Sequence, residues 1–223
     1  MTKRIFLSAI VKFTAGVLLV GALIFLPAGT WNFPGGWLLM RILFIPMFLA
    51  GLVMMAKDPN LLRSRLNAKE KEREQDLVVK LSGLMFLVGF ILAGLDFRFG
   101  WSKLPGWVNV LGAALFLASY VLYAEVLREN AWLSRTIEVQ AGQTVVSTGL
   151  YGIIRHPMYA VTLVLFLSMP LVLGSVPAFV VFLTYPAIIA KRIRNEEEIL
   201  KRELPGYAEY LEKVRWRLIP YIW

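Results

Sequence analysis

The 223-residue chain has no cysteine and one histidine, His156. That excludes disulfides, thiolate nucleophiles and cysteine-ligated zinc, and it leaves too few imidazoles for the usual zinc and iron cages. Charge is also scarce: Asp, Glu, Lys and Arg make up 17% of the residues, against 58% hydrophobic ones. A soluble domain carries about 25% charged and about 45–50% apolar residues, and here the excess is gathered into runs. A Gly-rich dinucleotide loop, a Walker motif, a nucleophile elbow and HExxH are all missing from the sequence. What is present is a series of apolar runs at about 8–27, 36–56, 77–95, 106–127, 158–173 and 176–190. The first four reach the roughly 20 residues a helix needs to cross hydrocarbon. The last two are shorter, joined through Gly174-Ser175-Val176-Pro177, with Pro170 interrupting the first. The pattern predicts an all-α integral membrane protein of about six membrane helices, the last two a short hairpin.

The net charge of +9 serves mainly as a topology signal, because the basic residues flank apolar spans rather than forming a nucleic-acid surface. Lys57, Arg63, Arg65, Lys69, Lys71, Arg73 and Lys80 crowd the segment 57–80. The tail from Lys191 is similarly basic, whereas 27–36 has no Lys or Arg and 96–105 has only Arg98 and Lys103. The positive-inside rule then puts both termini and the loop 57–80 in the cytoplasm, and an even number of spans follows. Met1-Thr2-Lys3-Arg4 before an apolar run imitates a signal peptide, but the run reads as a retained first span. Asp58-Pro59 followed by Leu61, Leu62 and Leu66 reads as an interfacial helix. Arg41 is the clearest intramembrane charge, and the general lack of mid-depth ionisable groups argues against a proton-coupled transporter.

Chemistry is expected in two places on the cytoplasmic side. The stretch 130–160 is long for a connector and rich in Gly, β-branched and small polar residues. It ends in Arg155-His156-Pro157, where Pro157 suits the first helical turn and His156 the N-cap. Unpaired amides and the positive dipole end there favour a carboxylate or phosphate, although Arg155 and His156 at a headgroup boundary fit the residues equally well. The second place is Lys191 to Leu200. In a helix Arg192 and Glu196 are i, i+4 neighbours, able to hold a charged ligand or simply to form a surface ion pair. The run Glu196-Glu197-Glu198 concentrates negative charge that a cationic ligand would relieve. Leu204-Pro205-Gly206-Tyr207 should break that helix before a restart at Tyr207.

In this order, Gly149-Leu150-Tyr151, Arg155-His156-Pro157-Met158-Tyr159, Arg192 with Glu196-Glu197, Pro205-Gly206-Tyr207 and Arg217-Leu218-Ile219-Pro220 resemble isoprenylcysteine carboxyl methyltransferases and their prokaryotic relatives. Phospholipid methyltransferases are more distantly similar. The resemblance covers about residues 125–223; the first four spans agree in character only. It implies a single membrane domain over 1–223, with four spans in 1–127 and a cofactor-binding methyltransferase half in 128–223. The implied cofactor is S-adenosylmethionine, and the implied partners are the lipid bilayer and a lipophilic methyl acceptor, an isoprenylcysteine carboxylate or a lipid headgroup. A prokaryotic plasma membrane is the implied location. Carried over by position, Gln143, Thr144, Val145, Val146, Tyr151, His156, Pro157, Met158 and Tyr159 would line the cofactor pocket, with Thr136 as a further candidate. Glu196 would contact the cofactor and Arg192 the substrate, the two forming the catalytic pair. No metal and no nucleic acid are implied. Leu150 and Val161 depart from the family's usual proline and glycine, and Val161 would narrow helix packing or acceptor access. Sterol-reductase-like enzymes that bind NADPH share a similar C-terminal half and stand as the alternative, beside a non-enzymatic membrane scaffold or transporter.

Overall fold

A computed structural model describes residues 2–57, 62, 73–133 and 139–223. The helices are α1 (Thr2–Ala28), α2 (Pro34–Lys57), α3 (Arg73–Phe99), α4 (Gly106–Glu129), α5 (Pro157–Leu173), α6 (Val176–Phe182), α7 (Tyr185–Glu203) and α8 (Tyr207–Lys213), with a 3₁₀ turn at Gly149–Gly152. Among the described residues the only extended pairing is a bridge between Ile154 and Trp216. The protein is an all-α integral membrane protein. Only helices or closed barrels satisfy every backbone group inside hydrocarbon, and these sequences, dominated by Leu, Phe, Val and Ala, supply the apolar exterior. Leu18, Leu26, Val110 and Val121 are exposed on the helix surfaces, as lipid-facing side chains are.

Among the described residues, five segments are long and apolar enough to cross a membrane: Phe6–Ala28, Pro34–Lys57, Asp76–Phe99, Gly106–Glu129 and Val176–Glu203. Helix α5 is apolar but has only 17 residues. The expected short hairpin is therefore short in its first arm alone. Its second arm is α6 and α7 in series, broken at Leu183-Thr184 ahead of Pro186, and it runs on past the end of the apolar stretch to Glu203. Pro170 does not interrupt α5, which continues to Leu173 and closes at Gly174 with φ 71°. The Pro170 carbonyl accepts from Ser175 N at 3.0 Å, so the closing turn satisfies acceptors that the helix end leaves open.

Small residues set how closely the helices approach. A Cβ on Gly94 would lie 2.4 Å from Ile24 O, so α1 and α3 touch backbone to backbone. A Cβ on Gly112 would lie 2.7 Å from Val172 N, which fixes α4 on α5. At the end of the bundle holding the turns after α1, α3 and α5, buried Asp96 accepts from Ser102 N at 2.7 Å and from Ser102 Oγ at 2.6 Å. Ser102 Oγ in turn accepts from Val176 N at 3.0 Å, and Asn109 Nδ2 donates to Val172 O at 2.9 Å. These bonds pin one end, so residues 130–133 and 139–156 and the C-terminal half of α7 meet at the other. Of the interfacial helix expected after Asp58, only Leu62 is described, and it is buried; the remainder lies outside the described residues. Arg41 is exposed on α2.

Candidate active site

The site is assembled from the end of α4, the 3₁₀ turn, the start of α5, the last turns of α7 and the chain after α8. Gly149 adopts φ 54°, a left-handed conformation that glycine enters without steric cost. Directly beneath it lies the Glu129 carboxylate, whose oxygens accept from Leu150 N at 3.1 and 2.8 Å. A Cβ at Gly149 would lie 1.8 Å from Glu129 Oε1, so no side chain fits without expelling the carboxylate. We expect Gly149→Ala to lower stability by about 1–2 kcal/mol from backbone strain alone, with a further loss from Leu150 N. Thermal unfolding in detergent measures it, and an unchanged midpoint would contradict this account.

Tyr151 follows, buried, its carbonyl accepting from Tyr210 Oη at 2.7 Å. His156 is the N-cap of α5 and Pro157 occupies its first turn, as the sequence predicts. The backbone on either side is fixed by the C-terminal segment: Arg155 N donates to Trp216 O at 2.8 Å and His156 N to Arg217 O at 2.9 Å. Three cationic or titratable side chains then converge on Glu197, which is 3% exposed. Arg155 Nε lies 3.1 Å from Glu197 Oε1, His156 Nε2 lies 3.2 Å from the same oxygen, and Arg217 Nε donates to Oε2 at 3.0 Å.

One helical step away is a second group. Arg192 Nε donates to the Tyr159 hydroxyl at 2.9 Å, and that hydroxyl donates to Glu196 Oε2 at 2.5 Å. The i, i+4 pair thus clasps one phenol rather than a surface partner. The His156 and Tyr159 rings lie 5.7 Å apart, inclined by 30°.

Between these groups opens a cavity. Of the residues expected to line a pocket, Gln143, Thr144, Val145, Val146, Tyr151, His156, Met158, Tyr159 and Glu196 all do. Pro157 is buried behind the wall, where it sets the start of α5, and Arg192 reaches the cavity through Tyr159. Thr136 lies outside the described residues. The structure adds Asn130, Trp132, Arg155, Tyr207 and Tyr210 to the lining. Burial holds the Tyr151 and Tyr207 phenols well above their ordinary pKa and Tyr210 at about 12, so all three are protonated at neutral pH. Val161 packs with Val126 and Tyr151 behind the 3₁₀ turn, so the departure from glycine fills the α4–α5 contact.

Residues 110–202 match the isoprenylcysteine carboxyl methyltransferase (ICMT) family. The matched region takes in most of α4, the cavity-lining segment and nearly all of α7, and it ends before Tyr207 and Arg217. It bears out the motif resemblance and supports a membrane methyltransferase. Among curated proteins, the cobalt-zinc-cadmium resistance protein CzcN of Cupriavidus metallidurans is 33% identical over 133 residues, 57% of each chain. The Delta(14)-sterol reductase TM7SF2 of Mus musculus is 29% identical over 91 residues, 40% of this chain and 22% of that protein. The Delta(14)-sterol reductase of Arabidopsis thaliana is 26% identical over 168 residues, 66% of this chain and 45% of that protein. The chain thus spans less than two thirds of the length of each of these relatives.

Proposed function

We propose that the chain is an S-adenosylmethionine-dependent methyltransferase that acts at the cytoplasmic face of a prokaryotic plasma membrane on a lipophilic acceptor, an isoprenylcysteine carboxylate or a lipid headgroup. The observation that carries the reading is the cavity itself. Its wall combines a carboxylate (Glu196), phenols and an arginine with apolar Val145, Val146, Met158 and Leu200, at one end of a helix bundle with a lipid-facing exterior. That donor set fits a cationic nucleoside bearing an amino-acid tail.

S-adenosylmethionine, when bound, supplies an electrophilic methyl group on a positively charged sulfur. The chain supplies alignment, a dry cavity and charge. Glu196 offers negative charge toward the sulfonium, and its distance from Arg192 is fixed by the Tyr159 hydroxyl that both contact. Arg192 orients an anionic acceptor group so that its nucleophilic atom faces the methyl in line. Methyl transfer gains more from such alignment and from desolvation than from proton transfer. The Val161–Val126–Tyr151 packing narrows the α4–α5 side of the chamber.

A second reading, an NADPH-dependent reductase, is favoured by the two sterol reductases among the relatives. Glu196 and Glu197 beside the cavity would repel a phosphorylated dinucleotide, which supports the first reading over this one. Titration of the detergent-solubilised protein with S-adenosylhomocysteine and with NADPH separates the two. We expect micromolar binding of the former, and methylation of a lipid extract by labelled S-adenosylmethionine. Binding of NADPH alone would replace this proposal with the reductase, and binding of neither would favour a scaffold.

A further inference from the structure

We propose that the chain after α8 is a headgroup clamp: Lys213 and Arg215, with the apolar side chains of Ile153, Tyr221 and Ile222 beside them, take the phosphate of an anionic phospholipid from the membrane the protein spans. The observation that selects a lipid is the length of α5. It has 17 residues, about 26 Å at the usual helical rise, against roughly 30 Å of hydrocarbon. It runs alongside the longer α4 and touches it near both ends, Val172 against Gly112 and Val161 against Val126. No residue from Pro157 to Leu173 is charged. A charge-free helix that falls short of the hydrocarbon thickness holds its flanking residues at the lipid–water boundary rather than out in water. Ile153, just ahead of α5, is 56% exposed there.

The C-terminal chain is fastened to that point. Ile154 and Trp216 form a bridge, and Trp223 O accepts from the backbone N–H groups of Arg217, Leu218 and Ile219, so residues 217–223 close on themselves. The closed loop does not turn its apolar side chains inward. Tyr221 is 87% and Ile222 75% exposed, and Tyr221 adopts φ 66°, a left-handed conformation that a tyrosine enters at a steric cost. A shallow groove lies between this loop and the 3₁₀ turn, its wall including Ile153, Lys213, Arg215, Trp216 and Tyr221. Its two charges, Lys213 and Arg215, are both positive and exposed, and neither has an ion-pair partner among the described residues. The α8 acids Glu209 and Glu212 are exposed and do not line it. Aromatic and aliphatic side chains settle at the membrane interface, and adjacent cations meet anionic headgroups there. An acidic protein surface would match the charge but not the depth that α5 sets. The clamp also reaches the cavity wall, because Trp216 O and Arg217 O hold Arg155 N and His156 N.

The chain has no cysteine, so Ile222→Cys labelled with bimane gives a single reporter at an exposed position. The full chain is reconstituted in nanodiscs of phosphatidylcholine alone or mixed with phosphatidylglycerol, each with a nitroxide carried at the lipid headgroup. Two cations near an anionic surface favour it by about 30-fold over a neutral one. We therefore expect the nitroxide to quench the probe, phosphatidylglycerol to strengthen the quenching, and the double variant Lys213→Gln with Arg215→Gln to lose that increase at unchanged helix content. A probe that the nitroxide leaves bright in both membranes while aqueous iodide quenches it places the loop in water, and the clamp gives way to a surface for a soluble partner. Quenching that ignores phosphatidylglycerol, or an increase that survives the double variant, overturns the headgroup site as well. None of these readouts involves methyl transfer, so the clamp stands or falls apart from the proposed function.

Discussion

Replacing Glu197 with alanine should cost about 3 kcal/mol of stability, because it leaves Arg155 buried opposite no counter-charge. Three side chains from separate parts of the chain meet at this carboxylate: Arg155 and His156 ahead of α5, and Arg217 in the C-terminal segment. Arg155 and His156 are almost fully buried, so solvent cannot take over the role of the missing charge. The Arg217 side chain is 32% exposed, and its pairing is discounted accordingly. The same residues are bound through their backbones, Arg155 N to Trp216 O and His156 N to Arg217 O, so loosening the ion cluster should also loosen this strap. In a chain of this length a loss of about 3 kcal/mol lowers the unfolding midpoint by roughly 6–12 °C. Glu197→Gln should fall between alanine and wild type, and Arg217→Ala should cost less than either. Limited proteolysis gives an independent readout, with earlier cleavage after Lys213 in Glu197→Ala. A midpoint within a degree of wild type, with Arg217→Ala equally silent, would mean that burial of the apolar neighbours and not the ion cluster holds this end together.

How much of this was open to sequence reasoning depends on which physical cue was local. Proline at the first helical turn is a backbone constraint carried by one residue, so the placement of His156 and Pro157 follows from the tripeptide. The Arg192/Glu196 pairing follows from helical spacing once α7 is known to be a helix. The choice between adjacent glutamates is different. Successive residues point about 100° apart on a helix, and only packing decides which one is buried. A cue was nevertheless present: Tyr185, Ile189, Ile193 and Glu197 recur every four residues and are all buried, so Glu197 continues an apolar stripe. A carboxylate in register with such a stripe requires cationic partners inside the protein. Hydropathy marks the end of the apolar run and not of the helix: charge rises at Lys191 while the helix, held on its buried stripe, continues to Glu203, where the expected break at Leu204-Pro205-Gly206 ends it. The pairing of Ile154 with Trp216 joins residues far apart in sequence through a single bridge, with no strand periodicity to announce it. Tyr207 appeared in the sequence as a helix restart after Gly206 and as the end of the Pro205-Gly206-Tyr207 motif; its place on the cavity wall depends on the chain reversal there.

Arg192→Ala should lower kcat/KM for the methyl acceptor by about 100- to 1000-fold, the usual consequence of removing one positioned donor from a reacting centre, and should leave S-adenosylhomocysteine affinity within about threefold of wild type. The asymmetry follows from geometry. Gln143 to Val146 line the cavity directly, whereas Arg192 is not among the lining residues: its Nε donates to the Tyr159 hydroxyl and its guanidinium carbon lies 5.9 Å from that ring's centre. Without it, Tyr159 still donates to Glu196, so the carboxylate offered to the sulfonium is not set adrift. Arg192→Lys keeps the charge but loses the planar, rigid donor fork, and should recover only part of the rate. Tyr159→Phe provides the control: it breaks the link between Arg192 and Glu196 and should impair acceptor turnover and nucleoside binding together. Parallel losses in both quantities for Arg192→Ala would assign the arginine to holding Glu196 in place. A loss confined to the acceptor assigns it to the substrate, and the Arg192–Tyr159–Glu196 chain then becomes the measure of how the two ligands are set in line.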